Sequence, residues 1–540
     1  MELSKPFHRK KIVVIFLACI LIFSGLSARV VYLMVFRAAH YSELALDLHQ
    51  RERKIKAKRG RILDRNGIVL ADNQPVCTIS VIHNQIRDPD AVIALLCSKL
   101  GLSEETVRKR VEKVSSIEKI KSNVDLETGE EIYRTGLDGI KVDEDYKRYY
   151  PYEDLASKVI GFTGGDNQGI LALESRYEEV LSGQEGLILE MTDARGVRLL
   201  DEGESRVEPV DGKDLYISLD ANIQLYAQQL AEQVCLEKEA ESVSILVLRP
   251  DNGEILAMAD VPEYQLNDPF TLPEGQQEQL MTEKEKQEAL NKMWRNACIN
   301  DTYEPGSTFK LVSLMALIDE AGYGLDYPVD CTENGRYYYQ VGRRKYLVQD
   351  SHAVGQTDLL GVMEHSSNIG FVKVIDEEYH DSPERFVDFI HSLGIDRQVN
   401  MQLNGGLKPI IKDPRRKKET AWDALSLMKM SYGYAVEVTP IHTLMLYNAV
   451  ANDGHMVAPR LVTAVMENGH AVERFGTETV NRKICSDKTL RLVRQALEGV
   501  VEEGTGSMMK NPNFKIAGKT GTAQIAMKNR GYADERGGRD

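Results

Sequence analysis

The run Phe309-Lys310-Leu311-Val312-Ser313-Leu314-Met315-Ala316-Leu317-Ile318 is apolar on nearly every helical face, yet it is too short to cross a bilayer. Such a segment is satisfied only as a helix enclosed by a large core. Glu304-Pro305-Gly306 ahead of it is a turn signal, and Gly322 and Gly324 end it. With 540 residues the chain is long enough for that core and for two or three domains.

Ser307 opens this helix and Lys310 follows three residues later. Residues at that spacing share a helix face, so the lysine amine can reach the serine hydroxyl, and the helix N-terminus favours an alkoxide-like oxygen. To accept the serine proton Lys310 must be neutral, which calls for burial and for a second cation nearby, such as Lys519. Ser-x-x-Lys alone is weak evidence, because the chain holds it at Ser116/Lys119, Ser426/Lys429 and Ser507/Lys510 as well. An isolated copy is more often a capping serine beside a solvated lysine. Only the copy at 307 opens a buried helix.

Ser366-Ser367-Asn368 follows a helix-like stretch, 358–365, and precedes another, 369–377. A polar pair in a helix-to-helix connection can place a hydroxyl beside Lys310 as a proton relay and an amide against a peptide substrate. Helix capping is the commoner use of such a serine. Lys519-Thr520-Gly521-Thr522 lies in 514–525, whose β-branched residues and glycines predict a strand that another backbone can approach. A peptide added along that strand would offer a terminal carboxylate to Lys519, Thr520 and Thr522. The backbone N–H groups of Ser307 and Thr522 are then the oxyanion donors. A plain edge strand with a solvated lysine is the competing reading of this string.

The three strings in this order resemble the motif set of penicillin-binding proteins and serine β-lactamases. The chain resembles a class B penicillin-binding protein, a monofunctional peptidoglycan D,D-transpeptidase, and most closely the septal type. Supporting strings are Arg59-Gly-Arg-Ile-Leu-Asp64-Arg65-Asn66-Gly67, Arg148-Tyr-Tyr-Pro151, Asp214-Leu-Tyr-Ile-Ser-Leu-Asp220, Gly253-Glu-Ile-Leu-Ala257, Ser431-Tyr-Gly-Tyr434 and Tyr447-Asn-Ala-Val-Ala-Asn452. The resemblance implies an α/β transpeptidase domain, a sheet flanked by helices, carried on a mixed α+β pedestal behind one transmembrane helix. It implies a catalytic set of Ser307, Lys310, Ser366, Asn368 and Lys519, substrate contacts from Thr520, Gly521 and Thr522, and β-lactams as acylating ligands. Two departures stand out. Ala172-Leu173-Glu174 replaces the family's Gly-x-Glu, which matters if that position needs a positive φ. The chain also ends at Asp540, soon after Lys519, where the family continues with two strands and a helix, so a truncated product is expected.

The stretch 12–36 is apolar apart from Arg29 and long enough for one membrane-spanning helix, expected as an uncleaved anchor rather than a signal peptide. Lys5, Arg9, Lys10 and Lys11 favour a cytoplasmic tail of residues 1–11, and the resemblance puts the catalytic domain outside the cytoplasm, on a bacterial inner membrane. The expected division is a pedestal over 37–210 and a transpeptidase domain over 211–540. Strands are expected at 76–82, 243–248 and 254–260, helices at 89–101, 104–114 and 222–237, and a surface insertion at 273–288. A net charge of −15 speaks against nucleic acid as a partner. Seven scattered cysteines without Cys-x-x-Cys support neither zinc nor a redox pair, and no cofactor is expected. Peptidoglycan stem peptides, the cytoplasmic membrane and division-complex membrane proteins are the expected partners. The rivals are a carboxypeptidase or β-lactamase of the same fold and a noncatalytic division scaffold.

Overall fold

The computed structural model describes residues 7–37, 50–115, 117–191, 205–273 and 281–524. Ser116, Ile525, the residues beyond it and most of the expected insertion before position 281 lie outside that set. The chain forms two compact units that interleave in sequence: 1–58, 73–147 and 183–212 make the first, and 59–72, 148–182 and 213–540 the second.

In the first unit, helix Phe7–Phe36 contains one segment, Ile12–Val35, long and apolar enough to cross a membrane, with a mean hydropathy of 2.4. Strands Gln50–Ile55, Gly186–Met191 and Ser205–Val207 form an antiparallel sheet. Residues 77–81 pair antiparallel with strand Glu118–Val124. Helix Pro89–Leu100 starts where Asp88 accepts from Ala91 N, with proline in its first turn, and stops at Gly101 in the left-handed region, φ +64°. Ser103 caps helix Glu104–Val111. Their apolar stripes, with Val92, Ile93, Leu96 and Val107, close over Ile79, Val81 and Ile120.

In the second unit, strand Val462–Glu467 lies between His470–Arg474 and Asp214–Ile217, and the last of these runs parallel to Ile62–Leu63. Strands Val243–Leu248 and Ile255–Val261 form a separate antiparallel pair against which helix Ala221–Lys238 packs. The main core surrounds helix Lys310–Asp319, in which every residue from Lys310 to Ile318 is buried. Helices Leu359–Glu364, Asn368–Tyr379, Pro383–Leu393, Pro440–Ala451 and Asp487–Glu502 supply most of the rest of that core. Part of the expected surface insertion is helix Glu283–Trp294, begun by a reciprocal capping box between Thr282 and Glu285.

A charged knot sits inside this unit. The Glu174 carboxylate accepts from Arg59 Nε and Arg148 Nε, both at 2.6 Å, and all three side chains are at most 1% exposed. The two guanidinium groups also donate to Glu174 O and Gly60 O, which ties three distant stretches of chain together.

Ala172, two residues before Glu174, has φ +50°. The position where the family pattern has glycine therefore does sit in the left-handed region, at a cost of about 1 kcal/mol for an alanine. Ala172→Gly is expected to stabilise the protein by somewhat under about 1 kcal/mol, seen as a higher denaturation midpoint. An unchanged or lower midpoint would show that Ala172 is unstrained.

Candidate active site

Ser307 lies in the 3-10 turn Gly306–Phe309, which runs directly into helix Lys310–Asp319. The turn is made by glycine. Gly306 has φ +55° and donates its N–H to Gly433 O at 3.0 Å. Gly433, at φ +90°, comes so close that a Cβ added there would lie 1.9 Å from Gly306 O. Ser431-Tyr-Gly-Tyr434 is thus the bed on which the serine turn rests, and Ser313 Oγ ties it to the helix by donating to Ser431 O.

Lys310 is fully buried. Burial pushes its amine well below the usual lysine range, and the charge of Lys519 pushes the same way, partly opposed by Asp350. Its nitrogen lies 2.6 Å from Ser366 O, 2.7 Å from Asn368 Oδ1 and 3.2 Å from Ser366 Oγ. A neutral amine has two N–H bonds and one lone pair. The two carbonyl oxygens can only accept, so they take both N–H groups and leave the lone pair for a hydroxyl proton. Asn368 is oriented for this, since its Nδ2 donates to Gln349 O at 2.9 Å.

Ser366 is the next link. Its Oγ accepts from Lys519 Nζ at 2.7 Å and lies 3.2 Å from Lys310 Nζ. Lys519 also donates to Thr520 O, and burial lowers its pKa to about 8. The hydroxyl of Ser366 therefore bridges two amines. Its backbone is strained to do so, at φ +55°. Asp350 holds the turn in place: its carboxylate accepts from Ser367 Oγ, Asn368 N and Ile369 N. Ser367 in turn caps helix Asn368–Tyr379 by accepting from Gly370 N.

The structure places Ser307, Ser366, Asn368, Thr520 and Thr522 around one cleft of about 1050 Å³, with Lys310 buried behind Ser366 and Asn368. Among the described residues no hydrogen bond joins Lys310 to the Ser307 hydroxyl; catalytic contacts of this kind tighten when substrate enters. Segment 515–524 differs from the expectation, because it forms no strand. Its contacts run through side chains and single backbone groups: Lys519 to Ser366, Thr520 Oγ1 with Thr505 Oγ1 at 2.8 Å, Gly518 N to Leu497 O and Gln524 N to Tyr434 Oη. Without a ladder partner among the described residues, β-propensity alone does not make a strand. The segment still lies against the serine turn. A Cβ on Gly306 would meet Thr522 O at 2.8 Å, and one on Gly521 would meet Thr308 Cγ2 at 2.8 Å. The N–H groups of Ser307 and Thr522 are unspent in backbone hydrogen bonds among the described residues. Asp350 is the site residue that the sequence reading does not name, while Gly433 and Tyr434 enter that reading only within the string Ser431-Tyr-Gly-Tyr434, with no role assigned.

The chain has relatives. The penicillin binding protein transpeptidase domain model matches residues 243–537, and the penicillin-binding protein dimerisation domain model matches 54–217. Stage V sporulation protein D of Bacillus subtilis is 29% identical over 533 residues, covering 97% of this chain and 78% of the relative. The probable peptidoglycan D,D-transpeptidase PenA of Neisseria meningitidis is 27% identical over 542 residues, 99% of this chain and 86% of that one. The crystal structure of penicillin binding protein 2X from Streptococcus thermophilus is similar in fold, with a TM-score of 0.68 at 22% identity, covering 89% of this chain and 72% of the other.

Gly433→Ala is expected to cost about 1–3 kcal/mol through overpacking against Gly306 and to lower the reactivity of Ser307. Denaturant titration with active-serine labelling checks both. Wild-type stability and labelling would show that the serine turn can yield.

Proposed function

This chain belongs to the penicillin-binding protein transpeptidase family, as a class B member, and from that membership we propose that it cross-links peptidoglycan stem peptides in septal cell-wall synthesis. The observation that carries the reading is the buried Lys310 amine, whose N–H groups are engaged by Ser366 O and Asn368 Oδ1. A buried lysine whose pKa is pushed down and whose N–H groups are engaged in that way is suited to act as the general base.

Ser307 Oγ attacks the carbonyl of the penultimate D-alanine, and its proton passes to Lys310. The N–H groups of Ser307 and Thr522 bind the oxygen that becomes negative. Ser366 relays the proton to the departing amine, the C–N bond breaks, and the terminal D-alanine leaves with its carboxylate drawn to Lys519, Thr520 and Thr522. Gly521 keeps the cradle low enough for a peptide to approach. An amino group of a neighbouring stem then attacks the ester, forming the cross-link and restoring the Ser307 hydroxyl. A β-lactam opens on the same oxygen and stays attached. No metal or cofactor enters this scheme.

The helix containing Ile12–Val35 anchors the chain as a single pass in the cytoplasmic membrane, with residues 1–11 inside and the catalytic domain outside. The proposed division keeps a pedestal over 37–210 and a transpeptidase domain over 211–540. Division-complex membrane proteins are the proposed partners of the anchor and pedestal. The match to the dimerisation model over 54–217 supports a transferase rather than a free hydrolase.

Fluorescent penicillin is expected to label the protein at Ser307. Label that persists in Ser307→Ala would reject this serine as the nucleophile. Lys310→Ala is expected to slow acylation by about 10²-fold or more, the range of a lost general base, and near-normal acylation would remove Lys310 from that role. The pH profile follows from the two amines. Lys310 is depressed, so it is deprotonated and active from a pH well below the usual lysine range upward. Lys519 binds carboxylate only while protonated, so acylation falls as pH rises through about 8. In Lys519→Arg the alkaline limb is expected to move upward, because arginine keeps its charge; an unmoved limb would assign it to another group.

A further inference from the structure

The hairpin that precedes the Ser366–Asn368 turn has a second face that the reaction above does not use. Strands Arg336–Val341 and Arg344–Gln349 pair with Arg336 opposite Gln349 and Tyr338 opposite Leu347. One face, with Tyr337, Tyr339 and Val348, packs on Ile369, Val372 and Met428. Residues two apart share the other face, so Arg336, Tyr338, Leu347 and Gln349 lie together there. Tyr338 and Leu347 are 57% and 47% exposed, and Arg336, Leu347 and Gln349 line the active-site cleft.

Arg336 is close to the chemistry by construction. Its cross-strand partner Gln349 supplies the carbonyl that orients Asn368. Cross-strand neighbours stand roughly 5 Å apart at Cβ. The guanidinium takes part in no ion pair or side-chain hydrogen bond among the described residues. The carboxylate that lines the same cleft, Asp350, is already engaged by Ser367, Asn368 and Ile369. Lys429, whose charge also acts on Asp423, adds positive potential to the cleft. An unengaged planar cation beside an exposed Tyr–Leu ledge suits a ligand that ends an aliphatic arm in a carboxylate.

We propose that Arg336 with Tyr338 and Leu347 forms a second anion subsite, which takes a stem peptide whose branching residue has an aliphatic side chain ending in a free carboxylate. The substrate is then a stem built on a diamino dicarboxylic acid rather than on its amide or on a simple diamine. This rests on the transpeptidase reading and adds substrate class to it.

Two synthetic stems ending in D-Ala-D-Ala, identical except for carboxylate or carboxamide at the end of that side chain, test it with the full chain in detergent. The readout is the ratio of their kcat/KM values for release of terminal D-alanine. The wild type is expected to favour the carboxylate by about 10-fold or more, the worth of one charge-assisted hydrogen bond. Arg336→Ala should bring the ratio near one, Arg336→Lys should keep part of it, and Lys345→Ala, which lies farther along the hairpin, should keep all of it. A wild-type ratio near one, or a ratio that survives Arg336→Ala, overturns the subsite. If fluorescent penicillin labels Ser307 while the ratio is one, the subsite alone falls. If neither penicillin nor either stem reacts with Ser307, the transpeptidase reading falls and the subsite falls with it.

Discussion

Burying a lysine amine inside protein is the constraint around which the site in the second unit is arranged. A buried cation costs several kcal/mol, and the group avoids that cost by giving up its proton. Lys310 can do so because the helix around it is dry on every side, and because its two remaining N–H groups meet carbonyl oxygens from Ser366 and Asn368. An acid in either place would hold the proton on the amine. Asp350 is near enough to raise the Lys310 pKa, yet its oxygens are occupied by Ser367 Oγ and two backbone N–H groups, and Lys519 pulls in the other direction. The lysine is thus tuned by one anion already engaged and one cation that shares a hydroxyl with it.

That arrangement needs backbone to approach backbone closely. Gly306 and Gly433 touch at a distance no side chain would permit, and both take left-handed φ values. Ser366 takes such a value without being glycine, because its hydroxyl is what bridges Lys310 and Lys519. Strain at that residue is offset by the Asp350 clamp and by the helix that starts at Asn368. Geometry at the Ser307 turn and geometry at Ser366 are therefore set by separate contacts. Gly433 supports the first from the Ser431–Tyr434 segment, and Asp350 supports the second from the end of the hairpin.

Much of the fold is legible locally. The apolar run after Ser307, the Asp88 and Gly101 boundaries of helix Pro89–Leu100, and strand Val243–Leu248 are written in composition and spacing, because burial on every face, capping and β-branching are short-range properties. The order of Ser307-x-x-Lys310, Ser366-x-Asn368 and Lys519-Thr-Gly identifies Ser307, Ser366, Asn368 and Thr520, which the structure gathers around one cleft, with Lys310 behind it and Lys519 bonded to Ser366. What local pattern misses is long-range. Asp350 looks like any turn aspartate until the hairpin brings it under Ser367. Gly433 stands out as part of the string Ser431-Tyr-Gly-Tyr434, but its task, the close approach to Gly306, shows only once the two segments meet. Segment 515–524 has strand composition, but a ladder needs a partner, and its contacts are those of an irregular strap over the serine turn.

Ala172 shows how far motif departures can be interpreted. The left-handed backbone there, φ +50°, remains although the glycine suited to it is absent, so the conformation is imposed by its surroundings rather than by the residue. Glu174 is the reason. Its carboxylate is committed to two buried guanidinium groups, and removing one partner from such a cluster leaves an uncompensated charge worth about 3–5 kcal/mol, several times the cost of an alanine at positive φ. The stronger term wins, and the turn keeps its shape. By the same logic Ser366 keeps its strained backbone, since Asp350 and helix Asn368–Tyr379 bind the next two residues more strongly than a relaxed serine would repay. In both places a charged or capped neighbour determines a conformation that residue preference alone would reject.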